Sequence, residues 1–210
     1  MNIIKVLNWR YATKQFDPNK KIPANDMTTI LEAARLTASS FGVQPWRFVL
    51  VNNIDKRQEL LKHSWNQMQV VEASHLLILC RLSTVTDQEV QAYCQDIAET
   101  RGIEVSSIKS FQDLVTGFIS RMTDEQKQQW MKDQIYIVLG NLLTTCALLN
   151  IDTCPMEGFD AKAYDQILKL PEIGLNAVAL LPMGYRLPAD KYAALAKVRF
   201  TLDKLVVNID

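Results

Sequence analysis

Residues 131–149, MKDQIYIVLGNLLTTCALL, decide the fold of this chain. The residues just before them, Thr123 to Gln126, form a T-x-x-Q capping box, which predicts the start of a long helix that runs to Asn150. Its main apolar stripe comprises Met131, Ile135, Val138, Leu142, Cys146 and Leu149. Further apolar residues lie on its other sides, and a helix that is apolar nearly all round must be buried on all sides. In a chain of 210 residues, a subunit interface is the natural way to bury it, so we expect a homodimer.

The remaining periodicity predicts further helices and three strands, which is typical of an α+β fold. Predicted helices cover residues 3–9, 27–38, 55–63, 87–101, 107–122 and 160–168, and predicted strands cover 46–51, 75–82 and 176–184. The N-cap of the second helix is Asn25 or Asp26. Residues 75–82 are almost continuously apolar, as in a buried central strand. The apolar tail from Leu205 to Ile209 is expected to be docked rather than loose.

Composition excludes several classes of partner. The chain has 23 basic and 23 acidic residues, so its charge gives no reason to expect nucleic acid or an anionic membrane. The longest apolar stretch, residues 135–149, falls short of the ~20 residues that a membrane span needs. No apolar signal segment follows Met1, so we expect a cytoplasmic protein with one domain over residues 1–210.

Cysteine and histidine patterns argue against a metal site. The four cysteines form no C-x-x-C pair and are interpreted as buried free thiols of a reducing compartment. His63 and His75 have no ligand spacing with each other or with a cysteine. The chain also lacks G-x-G-x-x-G, G-x-x-x-x-G-K-[ST], G-x-S-x-G and H-E-x-x-H. A dinucleotide fold, a P-loop and a serine hydrolase are therefore unsupported.

Two basic clusters and two turns carry the candidate chemistry. The basic clusters are Arg10-Tyr11-Ala12-Thr13-Lys14 and Lys197-Val198-Arg199, and the turns are Ser39 to Trp46 (SSFGVQPW) and Pro155 to Asp160 (PMEGFD). Arginine and lysine that converge on one ligand suit a phosphate. Read alone, these residues fit solvated surface charges better than a ligand site. Gly158 permits close approach of the backbone to a ligand, although an ordinary surface turn also fits.

In this order and spacing, the four segments resemble the FMN-dependent nitroreductase and flavin reductase family. Its members carry an R-x-S-x-K loop, an S-S-x-N-x-Q-P-W segment, a P-x-E-G turn and a late basic pair. The resemblance implies a mixed, mainly antiparallel sheet flanked by helices in an intertwined homodimer, with FMN at the interface. It also implies that the C-terminal extension adds a strand to the partner's sheet.

The resemblance assigns roles to individual residues. Arg10, Lys197 and Arg199 would bind the FMN phosphate. Lys14, near the N1/O2 edge of the flavin, would favour negative charge there. The backbone N–H of Glu157 would point at flavin N5, because Gly158 lets the backbone of the turn approach the ligand closely. Lys14 and Glu157 are thus the candidate catalytic residues.

Other positions complete the implied cofactor site. They are Tyr11, Ala12, Ser39, Ser40, Asn66, Gln69, Pro155 and Met156. Ser39 and Ser40 would reach the FMN bound mainly by the other subunit, and Asn66 would bond the pyrimidine edge. Ala12 replaces a serine or threonine, and Gln69 replaces a lysine found in some members. These departures predict weaker phosphate binding and a lower flavin potential.

The implied activity is two-electron reduction. NADH or NADPH would deliver hydride to the flavin, and a nitroaromatic, quinone, free flavin or pterin would then take the electrons in a ping-pong sequence. A dedicated flavin reductase and a non-catalytic flavin-binding protein remain alternatives. Phe118 is a candidate to cover the substrate site, and a place in a helix core fits it equally well.

Overall fold

A four-stranded sheet forms the centre of the computed structural model, which describes residues 2–209. Its strands are β1 (Trp46–Val51), β2 (His75–Leu82), β3 (Asp152–Thr153) and β4 (Leu175–Gly184), in the order β1-β2-β4-β3. All pairings between these strands are antiparallel, and a parallel bridge joins Ala12 to Thr153. The three predicted strands are confirmed to within one residue. The fourth, β3, has only two residues, too few for a periodic signal.

Helices cover both faces of this sheet. The helices of the described residues are α1 (Ile3–Trp9), α2 (Ala24–Arg35), α3 (Ile54–Leu61), α4 (Gln69–Glu72), α5 (Asp87–Arg101), α6 (Lys109–Ser120), α7 (Asp124–Leu148), α8 (Ala161–Ile167) and the exposed α9 (Leu202–Leu205). The predicted α+β class is therefore confirmed. The predicted domain 1–210 includes Met1 and Asp210, which lie outside the described residues.

The alternation of side chains along β2 explains why both faces are covered. Leu77 and Leu79 point into a core shared with α2 and α7. Leu76, Ile78 and Cys80 point into a second core, to which α3 and α8 also contribute. All five side chains are fully buried. A strand that is buried on both faces reads as a continuous apolar run, as the sequence predicted.

The predicted bounds of α2 are wrong at both ends. The helix begins at Ala24, directly after Pro23, so Asn25 and Asp26 lie in its first turn rather than at its N-cap. The fixed φ of proline suits a helix start, and this local preference prevailed over the side-chain caps. The helix ends at Arg35 rather than at residue 38. Just beyond its end, the Thr37 hydroxyl donates to the Ala33 carbonyl.

Three further helices differ from prediction at their ends. The segment predicted as one helix over 107–122 is a 3-10 turn, Val105–Ile108, followed by α6. Helix α3 spans Ile54–Leu61 rather than 55–63, with Asn53 as its N-cap. Helix α8 is one residue shorter at each end than predicted because Asp160 is its N-cap. Capping side chains set the starts of α3 and α8, and periodicity alone does not locate them.

Helix α7 confirms its predicted capping box, and it ends at Leu148 rather than at Asn150. Thr123 accepts the N–H of Gln126, whose side chain accepts the N–H of Thr123. The predicted burial on all sides is not reached within one chain, because Ile137 is 48% exposed. Helices α1 and α2 pack on part of α7. No helix within residues 2–209 is long and apolar enough to cross a membrane.

The tail does not dock on its own chain, so its expected docking stays a prediction. Leu205, Val206, Val207 and Ile209 are 53–93% exposed, and the residues before them are similarly open. The tail therefore buries no core of its own chain. All four cysteines, in contrast, are free and buried as predicted.

We predict that Arg57 stabilises the junction between α3 and the sheet. Its guanidinium is buried and donates to the carbonyls of Val51, Ala73 and Ser74 at 2.6, 2.7 and 3.3 Å. Arg57→Met should lower the free energy of unfolding by about 2–3 kcal/mol, since buried carbonyls lose a charged donor. Urea denaturation measures this change. The exposed Arg101→Met should shift stability by less than about 0.5 kcal/mol, and equal effects of both variants would contradict the assignment.

Candidate functional site

The first loop, residues 10–17, is fixed along the β3 edge of the sheet. The Thr13 N–H donates to the Thr153 carbonyl at 3.1 Å, and the Asp17 N–H donates to the Tyr185 carbonyl at 2.8 Å. In return, the Leu187 N–H donates to the Gln15 carbonyl at 2.9 Å. The side chains of this loop are thereby brought beside the residues that follow β3 and β4.

A buried ion pair supports the same loop. Arg186 Nε donates to Asp152 Oδ1 at 2.8 Å, and the Arg186 backbone N–H donates to Asp152 Oδ2 at 2.8 Å. The guanidinium also lies over the rings of Trp9 and Tyr11, 4.2 and 4.5 Å from their centroids. This stacking orients Tyr11. Sequence reasoning missed both charged residues because their partners are distant along the chain.

The two basic clusters meet in one cavity of about 460 Å³. Of the predicted site residues, it is lined by Arg10, Tyr11, Ala12, Lys14, Pro155, Lys197 and Arg199. The remaining lining includes Trp9, Tyr192 and Leu195. The structure thus brings together segments from both ends of the chain.

Positive charge is concentrated in this cavity. Burial and the neighbouring Arg199 lower the pKa of Arg10. Burial, Arg10 and Arg199 lower the pKa of Lys197 in the same way. None of these three cations forms an ion pair with a carboxylate of residues 2–209. The cluster therefore attracts an anion from solution, and a phosphate fits its charge and its donors.

Lys197 also secures the C-terminal segment against α1. Its ammonium donates to the carbonyls of Leu7 and Arg10, at the C-terminal end of that helix. These carbonyls lack partners within the helix and lie at the negative end of its dipole. An ammonium has three donors, so one remains for a ligand.

Lys14 and Gln69 meet at Cys154. The Lys14 ammonium lies 3.9 Å from Cys154 Sγ. Burial raises the pKa of the Cys154 thiol, and Lys14 and the Gln69 side chain partly oppose that rise. Gln69 is only 5% exposed, so it is held in place at the start of α4. Two of the predicted cofactor-site residues, Lys14 and Gln69, are therefore neighbours in space.

The turn from Pro155 to Gly158 leaves two backbone donors unused. The N–H groups of Glu157 and Gly158 have no acceptor within residues 2–209. The Glu157 carboxylate accepts the hydroxyl of Tyr136 from α7, a contact that the sequence did not suggest. Met156 differs from its neighbours, because its side chain is in the core and its N–H and carbonyl pair with Leu180. Met156 thus anchors the turn and offers no polar group to a ligand.

Gly158 is required by the loop that packs on it. An added Cβ would lie 2.4 Å from Cζ3 of Trp65, and Gln67 Nε2 donates to the Gly158 carbonyl at 2.9 Å. Trp65 and Asn66 both have positive φ, 52° and 55°. The backbone therefore turns sharply and leaves Trp65 74% exposed, with Asn66 exposed beside it.

Ser39 and Ser40 lie outside this cavity. They were predicted at the end of a helix, but Ser40 opens a 3-10 turn that begins after α2 has ended. The Ser39 hydroxyl accepts the Gln44 N–H at 3.0 Å, and the Ser40 N–H donates to Gln134 of α7 at 2.8 Å.

Phe118 packs edge-on against Phe41 and Trp130, with ring centroids 5.0 and 6.2 Å away. It is 38% exposed and does not line the cavity of the cations. Within residues 2–209, no group of three His, Cys, Asp or Glu side chains is arranged to hold a metal ion.

Comparison with known proteins identifies the family. The model of the nitroreductase family matches residues 7–185. A Staphylococcus saprophyticus protein, provisionally named an NAD(P)H nitroreductase, is 39% identical over 97% of this chain and 95% of its own.

Solved structures show the same fold. A nitroreductase-like protein from Streptococcus mutans superposes with a TM-score of 0.85 at 22% identity, over 99% of this chain and 98% of its own. A nitroreductase-type protein from Exiguobacterium sibiricum, described in complex with FMN, has a TM-score of 0.85 at 21% identity, over 100% and 98%. The chain belongs to the nitroreductase family, a family of oxidoreductases.

Proposed function

We propose that this protein binds FMN and transfers two electrons from NADH or NADPH to a small-molecule acceptor by a ping-pong sequence. The cavity in which Arg10, Lys197 and Arg199 meet without a carboxylate partner carries the proposal. A related structure described with FMN supports the choice of ligand. The acceptor classes are nitroaromatics, quinones, free flavins and pterins.

The residues present fit FMN at both ends. Arg10, Lys197 and Arg199 would hold its phosphate through charge-assisted hydrogen bonds. The unused N–H of Glu157 offers the donor that flavin N5 requires. Ala12 has no hydroxyl to add, so the phosphate relies on cations and backbone groups.

Bound FMN would supply the two-electron chemistry, and the chain supplies position and electrostatics. Lys14, beside Cys154 and Gln69, would stabilise negative charge at the pyrimidine edge of the ring system. The tyrosine hydroxyl of Tyr136 fixes the Glu157 carboxylate, which steadies the turn that presents the N5 donor. Asn66 and Gln69 would complete the polar edge, while Ser39 and Ser40 would act from the other subunit.

The ping-pong order is based on the single site. The chain has no dinucleotide-binding fingerprint, so the nicotinamide and the acceptor would take turns at one face. The alternatives are a dedicated flavin reductase, which would accept free flavins alone, and a flavin-binding protein without turnover. The unused N–H of Glu157 and the ammonium of Lys14 favour turnover.

We predict that NADH or NADPH bleaches the visible absorbance of the FMN-loaded protein under anaerobic conditions. Double-reciprocal plots over a panel of acceptors should be parallel. Lys14→Met should slow flavin reduction by about tenfold or more, while changing nicotinamide affinity less, because the charge matters most in the transition state. Lys62→Met, an exposed control, should leave both unchanged. Flavin that stays oxidised would favour the non-catalytic alternative, and intersecting lines with a ternary complex would refute the shared site.

We predict that Arg199→Ala weakens FMN binding by about 1.5–3 kcal/mol, the size of a lost charge-assisted hydrogen bond. Fluorescence titration of the flavin measures the affinity. Arg101→Ala removes the same charge from the exposed last turn of α5 and should not change it. Wild-type protein that gains no visible absorbance with FMN would contradict the cofactor assignment itself.

We also propose an obligate homodimer of one domain per chain, in which the tail of each chain covers β1 of the other. β1 is an edge strand, and an apolar groove of about 340 Å³ lies beside it. It is lined by Leu31, Arg35, Gln44, Trp46, Arg47, Phe48 and Leu50. The exposed tail and the exposed side of α7 supply apolar surface of the kind that a monomer rarely leaves open.

We predict that sedimentation shows a dimer at low micromolar concentration. Val207→Asp and Ile209→Asp, in the exposed tail, should shift the population towards monomer because a charge would be buried. Ile173→Asp, at a residue that is 66% exposed elsewhere, is the matched control and should remain dimeric. A stable, folded, FMN-loaded monomer of the wild-type chain would refute the dimer.

A further inference from the structure

Asp190 is a buried carboxylate that joins the two cation-bearing segments. It is 3% exposed. Its Oδ2 accepts the Tyr11 hydroxyl at 2.9 Å and the backbone N–H groups of Lys14 and Gln15 at 2.8 and 3.2 Å. Its Oδ1 accepts the N–H of Tyr192 at 3.0 Å. One side chain thus ties the first loop to the segment that leads to Lys197 and Arg199.

The partners of Asp190 are all neutral donors. No ion pair within residues 2–209 joins it to Arg10, Lys14, Lys197 or Arg199. Burial alone would raise the pKa of the Asp190 carboxyl, but hydrogen bonds from Lys14, Tyr192, Tyr11 and Gln15 outweigh it and lower that pKa. The carboxylate is therefore stable as an anion without neutralising the cations beside it.

The cation cluster needs such a contact. Burial lowers the pKa of Arg10 and of Lys197 most, and neighbouring positive charges lower both further, so the like charges repel one another. The Lys197 bonds to the carbonyls of Leu7 and Arg10 resist this repulsion, and Asp190 adds a second restraint between the first loop and the C-terminal segment. An ordinary salt bridge would hold the segments but would occupy the cations. Asp190 holds them through backbone and tyrosine donors and leaves the cations available.

We propose that Asp190 is a positioning residue that assembles the phosphate cradle, and thereby makes the site select the phosphorylated flavin over its unphosphorylated form. This inference rests on the proposed FMN function. Asp190 touches no ligand in this role; it acts through the cations whose segments it joins. Loss of the Asp190 carboxylate should therefore weaken the contribution of the phosphate to FMN affinity. It should change the contribution of the flavin ring system much less.

The test compares FMN with riboflavin, which shares the ring system and lacks the phosphate. The full-length chain, freed of flavin, is titrated with each, and the ratio of the two dissociation constants is measured. Wild-type protein should prefer FMN by about 100-fold or more, as expected for several charge-assisted bonds. Asp190→Asn should reduce that ratio by about tenfold or more, because the NH₂ group of asparagine is a donor and would face N–H or O–H donors that the carboxylate accepts. The affinity for riboflavin should change little.

Two further variants sharpen the result. Asp96→Asn removes the same charge from the exposed face of α5 and should leave the ratio unchanged. Tyr11→Phe removes one bond to Asp190 and should lower the ratio about threefold or more, by loss of a single hydrogen bond. In the double variant, Tyr11→Phe should lower the ratio no further than Asp190→Asn alone does, since the tyrosine hydroxyl acts through the Asp190 carboxylate. If Asp190→Asn does not fold, Tyr11→Phe alone decides.

The outcomes separate the two levels of inference. A wild-type chain that binds FMN no better than riboflavin overturns the phosphate site and with it the proposed function. A wild-type preference for FMN that persists in Asp190→Asn, or in Tyr11→Phe when the former does not fold, overturns the positioning role and leaves the function intact. An equal loss of FMN and riboflavin affinity shows general damage to the fold and likewise overturns the positioning role.

Discussion

Repulsion among Arg10, Lys197 and Arg199 is the constraint around which this end of the molecule is organised. The three cations line one cavity and have no carboxylate partner within residues 2–209. Like charges in a partly buried place are unfavourable unless other contacts hold their segments. Those contacts come from the β3 edge of the sheet, from the carbonyls at the end of α1, and from the buried Asp190, which accepts from neutral donors. The remaining repulsion lowers the local stability of the free protein. An anion that binds to the three cations would relieve that repulsion.

The other half of the site is built from backbone rather than charge. The turn at Glu157 and Gly158 is anchored in the core by Met156 and is covered by the loop that carries Trp65. Its two N–H groups have no acceptor in the described chain. Gly158 is half-buried and Glu157 is exposed, so both donors are open to solvent and to a ligand. A ligand that places an acceptor over the turn, as a flavin would with N5, would accept from these donors at the opposite end from the phosphate.

The apolar surface points to a molecule larger than one chain. The tail, the outer side of α7 and the groove beside β1 are all open in the single chain. The tail and α7 were expected to be buried, and within the chain neither is fully covered. In the proposed dimer, a second copy of the chain would cover this exposed apolar surface. Ser39 and Ser40 lie outside the cavity that the cations line, and in the proposed dimer they would act from the other subunit.

By itself the sequence determined the α+β class, the long capped helix, the buried central strand and most residues of the cavity. These follow from local periodicity, capping chemistry and four motifs in register, which need no knowledge of distant contacts. Only the tertiary structure decided the roles of Asp152, Arg186 and Asp190. Each of them acts on residues more than thirty positions away, so no local pattern marks it. The tertiary structure also decided the ends of α2, because several neighbouring residues could have served as its N-cap. It decided the exposure of the tail as well, because exposure depends on which other parts of the chain pack against it.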